Sequence, residues 1–218
     1  MKTIFTLIIS TFILTGSFYC QKKNKVQTPQ NPISKAELTK ILMDLRKLTP
    51  QPAESDETAV IETNMGTIKF KFYPDVAPIH CASFKMLANS GFYNGTIFHR
   101  VVPNFMIQGG DILSRDDDPN NDGTGNPGYF INAEFSGKNH KRGIVSAARR
   151  GDNINSAGSQ FFICVADAPY LDGQYSIFGE VIEGMDVADK IVNAPTNPDN
   201  NKPIKEIMMK NVKVIKGK

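Results

Sequence analysis

Phe98-His99-Arg100-Val101-Val102-Pro103-Asn104-Phe105-Met106-Ile107-Gln108-Gly109-Gly110-Asp111 decides the reading of this chain. It covers most of two short β-like runs, 96–101 and 105–108, with Pro103-Asn104 between them. Each run carries one residue that a plain core strand avoids, Arg100 in the first and Gln108 in the second. Burying a guanidinium is expensive unless partners hold it or a reaction uses it. Successive side chains on a strand point to opposite faces, which turns His99 away from Arg100 and leaves it a structural role.

Similar short runs follow at 129–132, 143–147, 160–165 and 176–181, with a last strand at 208–215. Upstream, 66–72 alternates strictly, with Ile68, Phe70 and Phe72 on one face and Lys69 and Lys71 on the other. That is the pattern of a half-buried strand. Two helices are expected among these strands. One spans 78–90, with Pro78 at its start, Gly91 just past its end and Phe84, Leu87 and Ala88 facing inward. The other spans 185–192. Many short strands, Gly/Asn/Asp turns and two helices argue for a closed or sandwiched β architecture. The composition agrees: 40% apolar residues, 14 Phe and no Trp suit a β-rich core. A net charge of +3 with 22% charged residues is an ordinary soluble surface, with no footprint for nucleic acid or a membrane surface.

Residues 1–57 read differently from the domain expected at 58–218. Lys2 precedes an almost entirely apolar or Ser/Thr stretch at 4–14, the mark of a secretory signal peptide and too short for a comfortable transmembrane helix. This places the chain outside the cytoplasm, in a periplasm or held on a membrane. Cys20 stands where a bacterial lipoprotein carries its lipid, although Ser17-Phe18-Tyr19 before it are not the small residues that signal usually has. Ordinary secretion and an uncleaved anchor are the alternatives, and a lipid on Cys20 is the one membrane attachment expected. Residues 21–57 form a tether, flexible over 21–32, where Lys, Gln, Asn and Pro dominate. Leu38, Ile41, Leu42, Leu45 and Leu48 recur at helical spacing, Ser34 and Glu37 form a capping-box signal, and Pro50 and Pro52 end the helix. It packs on the domain, pairs with a partner or forms transiently; the pattern leaves all three open. Residues 50–57, rich in Pro and acid, read as a second linker. Cys81 and Cys164 sit among apolar neighbours and read as buried free thiols, with a bridge between them the alternative in an oxidising compartment.

Two further stretches mix apolar and polar residues as the first does. One is Gly143-Ile144-Val145-Ser146-Ala147-Ala148-Arg149 followed by Asn155-Ser156-Ala157-Gly158-Ser159-Gln160-Phe161-Phe162-Ile163; the other is Tyr170-Leu171-Asp172-Gly173-Gln174-Tyr175-Ser176-Ile177-Phe178-Gly179. The three together, long and in order, resemble the cyclophilin family from about residue 58 to 215. The resemblance implies a mainly β fold: a closed eight-stranded antiparallel barrel capped by two α-helices, with its active site on the outer face. It implies peptidyl-prolyl cis-trans isomerase activity on proline-containing polypeptides.

That chemistry makes sense of Arg100. An amide C–N bond resists rotation with a barrier of about 18–20 kcal/mol, and X-Pro isomers exchange over tens to hundreds of seconds. No bond is made or broken, so neither nucleophile nor cofactor is called for. A catalyst must bind the twisted amide better than the planar one. A cation donating to the prolyl nitrogen does so, because that nitrogen accepts well only when twisted. By the resemblance Arg100 is this cation, permanently charged and rigidly forked, and Gln108 helps hold Arg100 and the substrate backbone. Phe105, Met106, Phe162 and Leu171 grip the proline ring. The backbone at Arg149, with Gln160, clamps the substrate chain, and Gly123-Thr124-Gly125 lines a neighbouring groove. Tyr170 and Tyr175 flank the pocket where Trp and His are frequent in eukaryotic members; the missing indole N–H implies weak cyclosporin binding. Arg149 replaces a common Asn, and 151–157 is slightly lengthened.

The competing reading is a non-catalytic module that holds proline segments as a chaperone, and the presence of Arg100 and Gln108 argues against it. Asp118-Pro119-Asn120-Asn121-Asp122-Gly123 matches half of a calcium loop, but Tyr129 stands where its bidentate Glu is needed. A polar surface loop is the expectation there. His80, His99 and His140 show no ligand spacing, so no metal site is expected. His80 beside Cys81 is no catalytic dyad, since neighbours on a helix point apart.

Overall fold

The computed structural model describes residues 32–217; the signal segment, Cys20 and the first part of the tether lie outside them. Among the described residues there are eight strands: β1 (Glu57–Thr63), β2 (Thr67–Phe72), β3 (Arg100–Val102), β4 (Met106–Gly109), β5 (Ile144–Ala147), β6 (Phe161–Cys164), β7 (Ile177–Glu183) and β8 (Met209–Lys216). They make one antiparallel sheet in the order β3-β4-β6-β5-β7-β2-β1-β8. Alternation at β2 works as read: Ile68, Phe70 and Phe72 are buried, while Lys69 and Lys71 pair outside with Glu183 and Glu180 of β7.

Two strand assignments differ from expectation. The run at 129–132 makes one isolated bridge, Ile131 to Ala157, while the Tyr129 hydroxyl bonds to Ser83 and the Ala133 N–H donates to Asn155. The eighth strand is instead β1. Ala59, Val60 and Ile61 are buried in succession, so this central strand has no alternation to read and sits directly after the acidic linker. Closure also differs: the sheet is a curled half-barrel, and no ladder joins its edge strands. Just before β3, Ile97 bridges Met208 and Phe98 N–H donates to the Ile207 carbonyl at 2.9 Å. Farther along, the 196–203 turn intervenes and its Asn201 carbonyl takes the Val101 N–H at 2.9 Å. At the other edge, Asn94 and Asn89 side-chain oxygens accept the Val212 and Val214 N–H groups at 2.8 and 3.0 Å.

Helix α2 (Pro78–Asn89) buries Cys81, Phe84, Leu87 and Ala88. Its Phe84 ring meets Phe70, Phe161 and Phe178 with centroids 5.0, 5.4 and 5.7 Å away. The Glu134 carboxylate accepts from the Ile79 and His80 N–H groups at its start, where unpaired amides and the helix dipole favour an anion. Helix α3 (Met185–Val192) buries Val187, Ala188, Ile191 and Val192. The tether helix α1 (Lys35–Leu45) has both bonds of its Ser34/Glu37 capping box. It packs on the domain: Leu45 is buried, Leu38, Ile41 and Leu42 lie against the main core, and Ile33 N–H donates to the Arg115 carbonyl at 2.8 Å. Residues 50–57 are held rather than free: Ala53 is buried, and Lys85 Nζ reaches the Pro52 carbonyl at 2.9 Å and Glu57 at 2.7 Å.

The buried apolar residues form two clusters. The large one fills the concave side of the sheet under α1, α2 and α3. The small one, Met106, Phe162, Cys164, Ala168 and Leu171, lies on the opposite face of β4 and β6. Cys81 belongs to the first and Cys164 to the second; both are free and buried, and burial pushes both thiols up to about 12.

Candidate active site

Strand register sets the site. Arg100 on β3 stands opposite Gln108 on β4, Gln108 opposite Phe162 on β6, and Phe162 opposite Ser146 on β5. Directly opposed residues project from the same face of a sheet, so one row crosses four strands on the convex side. Beside it Val102, Met106 and Cys164 make a parallel apolar row. Asn104 turns β3 into β4 with φ 59°, a left-handed conformation that Asn tolerates better than most residues. The turn brings Phe105 over Phe162, centroids 6.5 Å apart. The short helical turn Pro169–Leu171 adds Leu171.

These residues enclose a hollow of about 240 Å³ with Arg100 and Gln108 on one side, Phe105, Met106, Phe162 and Leu171 as apolar wall, and Arg149 and Tyr175 opposite. Arg100 is half-buried. Its one side-chain hydrogen bond among the described residues is a long 3.4 Å contact from Nη1 to Gln108 Oε1, and no carboxylate pairs with it. The guanidinium is therefore aimed but not neutralised. Gln108 Nε2 donates onward to Gln160 Oε1 at 3.1 Å, and Gln160 Nε2 donates to the Gly123 and Gly125 carbonyls at 2.9 Å each. The buried Asp111 carboxylate anchors that loop by accepting from the Gly123 and Leu113 N–H groups. Burial pushes Asp111 up, against the amides that pull it down.

A second hollow of about 440 Å³ adjoins the first and shares Gln108, Ala148 and Arg149 with it. Gly123, Thr124 and Gln160 line this one, so the structure separates them from the proline-sized pocket. Gln160 orients Gln108 and the glycine loop with its amide. Tyr170 stands at the rim, 61% exposed, with its ring 5.7 Å from Phe105. The Arg149 guanidinium lies 4.5 Å over the Tyr175 ring.

Three residues behind the pocket escaped the sequence reading. His140 stacks on Phe162 with centroids 6.1 Å apart and faces Tyr175 edge-on at 6.4 Å. Its Nδ1 donates to Asp172 Oδ1 at 3.0 Å, and its Nε2 lies 3.2 Å from Ser146 Oγ. Burial lowers the His140 pKa, and the hydrogen bonds from Asn139 and His140 hold Asp172 down at about 2. This is a Ser-His-Asp arrangement, but Ser146 is fully buried and also contacts the Ser176 carbonyl at 2.9 Å. A nucleophile must reach its substrate, so the trio fixes the pocket floor instead. The sequence signals were Ser146 within the second quoted stretch and Asp172 within the third. Of the residues set aside, His80 pairs with Glu134, and Asp118 accepts from the Asn120 N–H of the polar loop.

The family model "Cyclophilin type peptidyl-prolyl cis-trans isomerase/CLD" matches residues 58–214. A "Probable peptidyl-prolyl cis-trans isomerase" of Brucella abortus is 43% identical over 148 residues, 66% of this chain and 75% of the relative. "Peptidyl-prolyl cis-trans isomerase A" of Dickeya dadantii is 41% identical over 184 residues, 80% of this chain and 94% of the relative. The chain spans only 28% of "Peptidyl-prolyl cis-trans isomerase-like 2" of Gibberella zeae, at 37% identity. A crystal structure of a Cryptosporidium parvum cyclophilin type isomerase in the presence of the dipeptide Ala-Pro superposes with TM-score 0.67 and 34% identity, over 73% of this chain and 99% of that one. With its pocket on the convex face of a curled eight-stranded sheet, this chain belongs to the family of cyclophilin-type peptidyl-prolyl cis-trans isomerases.

Proposed function

We propose that this isomerase speeds X-Pro rotation in exported polypeptides as they fold, with Arg100 as the catalytic donor. The observation that carries the reading is an arginine with no carboxylate partner among the described residues, facing the apolar side chains of Phe105, Met106, Phe162 and Leu171 across a small hollow. The proline ring enters between Phe105, Met106, Phe162 and Leu171, which exclude water. Arg100 then donates to the prolyl nitrogen as the amide twists and that nitrogen regains its lone pair. The stronger bond forms only in the twisted state, so it lowers the barrier rather than merely tightening binding. The Gln160–Gln108 relay keeps the fork pointed at that nitrogen. Export rests on Lys2 and the apolar 4–14 stretch, and anchoring on Cys20; membrane fractionation of the wild-type chain and Cys20→Ser tests both.

The deciding experiment is isomerase activity of the full chain on a short X-Pro peptide, with and without Arg100→Ala. A charge-assisted hydrogen bond contributes about 1.5–3 kcal/mol, so kcat/KM falls at least about tenfold. An unchanged rate in the folded variant would sink the role of Arg100; no rate enhancement by the wild type would turn the pocket into a binding module. Cyclosporin inhibits weakly on this reading, because the exposed Tyr170 offers no indole N–H; nanomolar inhibition would refute that.

A further inference from the structure

We propose that Arg149 selects substrates carrying an acidic side chain close to the isomerised proline. This rests on the isomerase reading and deepens it. Arg149 lines both hollows, so a chain leaving the proline pocket through their shared wall passes its guanidinium. Three features make that guanidinium a fixed, unneutralised cation. It lies on the Tyr175 ring at 4.5 Å, a favourable cation–π arrangement. Its Nε and Nη1 donate to the Gln174 and Arg150 carbonyls at 3.1 and 2.9 Å, neutral acceptors that orient the fork and leave its charge in place. Nη2 has no protein acceptor among the described residues.

The surroundings reinforce the sign. Neither hollow has an Asp or Glu in its wall, while Arg100, Arg149 and Arg150 line them. Arg150 is neutralised by a bidentate pair with Asp152, at 2.6 and 3.1 Å, and nearby Asp122 is held by Lys202. Arg100 belongs to the reacting bond. Arg149 is thus the cation left to meet a substrate side chain, and Arg presents a planar fork that fits a carboxylate.

The test places Glu, Gln or Lys in turn at each of the two residues before and the two after proline in otherwise neutral peptides. At one of these positions the Glu peptide should exceed the Lys peptide in kcat/KM by about fivefold, the reach of a partly exposed ion pair. The gain should lie in KM, because the contact is equal for planar and twisted amide. Arg149→Gln should bring the ratio to within about twofold, and Arg149→Lys should keep part of it. In the unaltered chain, salt at about 1 M should collapse the preference by screening. The proposal is overturned by a Glu/Lys ratio near one at every position, or by a preference that survives Arg149→Gln or high salt. Normal turnover of the Gln peptides in those cases leaves the isomerase reading standing; no turnover of any peptide removes both.

Discussion

Two clusters of side chains share the same strands and differ in what surrounds them. Ile107, Phe161, Ile163, Val145 and Ala147 point into the large core, and Met106, Phe162 and Cys164 point the other way into the small one. Neighbours such as Phe161 and Phe162 therefore belong to different environments by the period of the strand. Inside, Phe161 is ringed by Phe84, Tyr93 and Phe98 and lies under α2. Outside, Phe162 rests on His140 and Tyr175 and has one side open to the hollow. An apolar cluster covered only by a turn and a few side chains, with an open hollow and a cation at its edge, leaves room for a ligand side chain.

The sharpest way to break this contrast is to truncate the two phenylalanines separately. Phe161→Ala should cost about 3–5 kcal/mol of stability, read from urea midpoints, with kcat/KM per folded molecule little changed. Phe162→Ala should lose less stability and most of the activity; matching effects of the two would erase the distinction. A pH series comes next. His99 is buried with neither ring nitrogen hydrogen-bonded, and burial, then the charges of Arg100 and Lys202, lower its pKa to about 4. The unfolded chain takes up this proton near pH 6.5, so stability present above that value falls as pH drops toward 4, by up to about 3 kcal/mol. His80 and His140, also lowered by burial, add slope of the same sign; His99→Phe should remove its share, and an unchanged slope would contradict the assignment. Arg100→Ala tests the outer face alone, with at least about a tenfold loss of rate and a urea midpoint near that of the wild type. The smallest effect is Ser34→Ala, which removes the cap of a helix packed only on the large core: about 1 kcal/mol of stability and no change in peptide turnover.

Legibility in the sequence followed the same division. Arg100 and Gln108 stood out because a polar residue in an apolar strand is costly wherever it occurs. β2 was readable because one of its faces meets solvent. β1 was not, since Ala59, Val60 and Ile61 are all covered and a continuous apolar run has no face to assign. His140 was invisible because its partner Asp172 lies 32 residues away and its role exists only once Phe162 stacks on it. The docking of α1 depends on Arg115 and Leu113, which no local pattern links to it. Edge closure turned on which loop reaches Val101 first, and that is a matter of tertiary packing.

The sheet's edges carry a last consequence. Unpaired strand edges template the addition of foreign strands and so seed aggregation, a hazard for any protein that handles extended chains. β3 has three residues, is followed by Pro103, and has its Val101 N–H already engaged by Asn201. On β8, Asn94 and Asn89 occupy the Val212 and Val214 amides. On the proposed reading, an extended client beside Arg100 would meet side chains and a pocket, with little free backbone to zip onto. Such contact would stay reversible, and the client could leave as a separate chain.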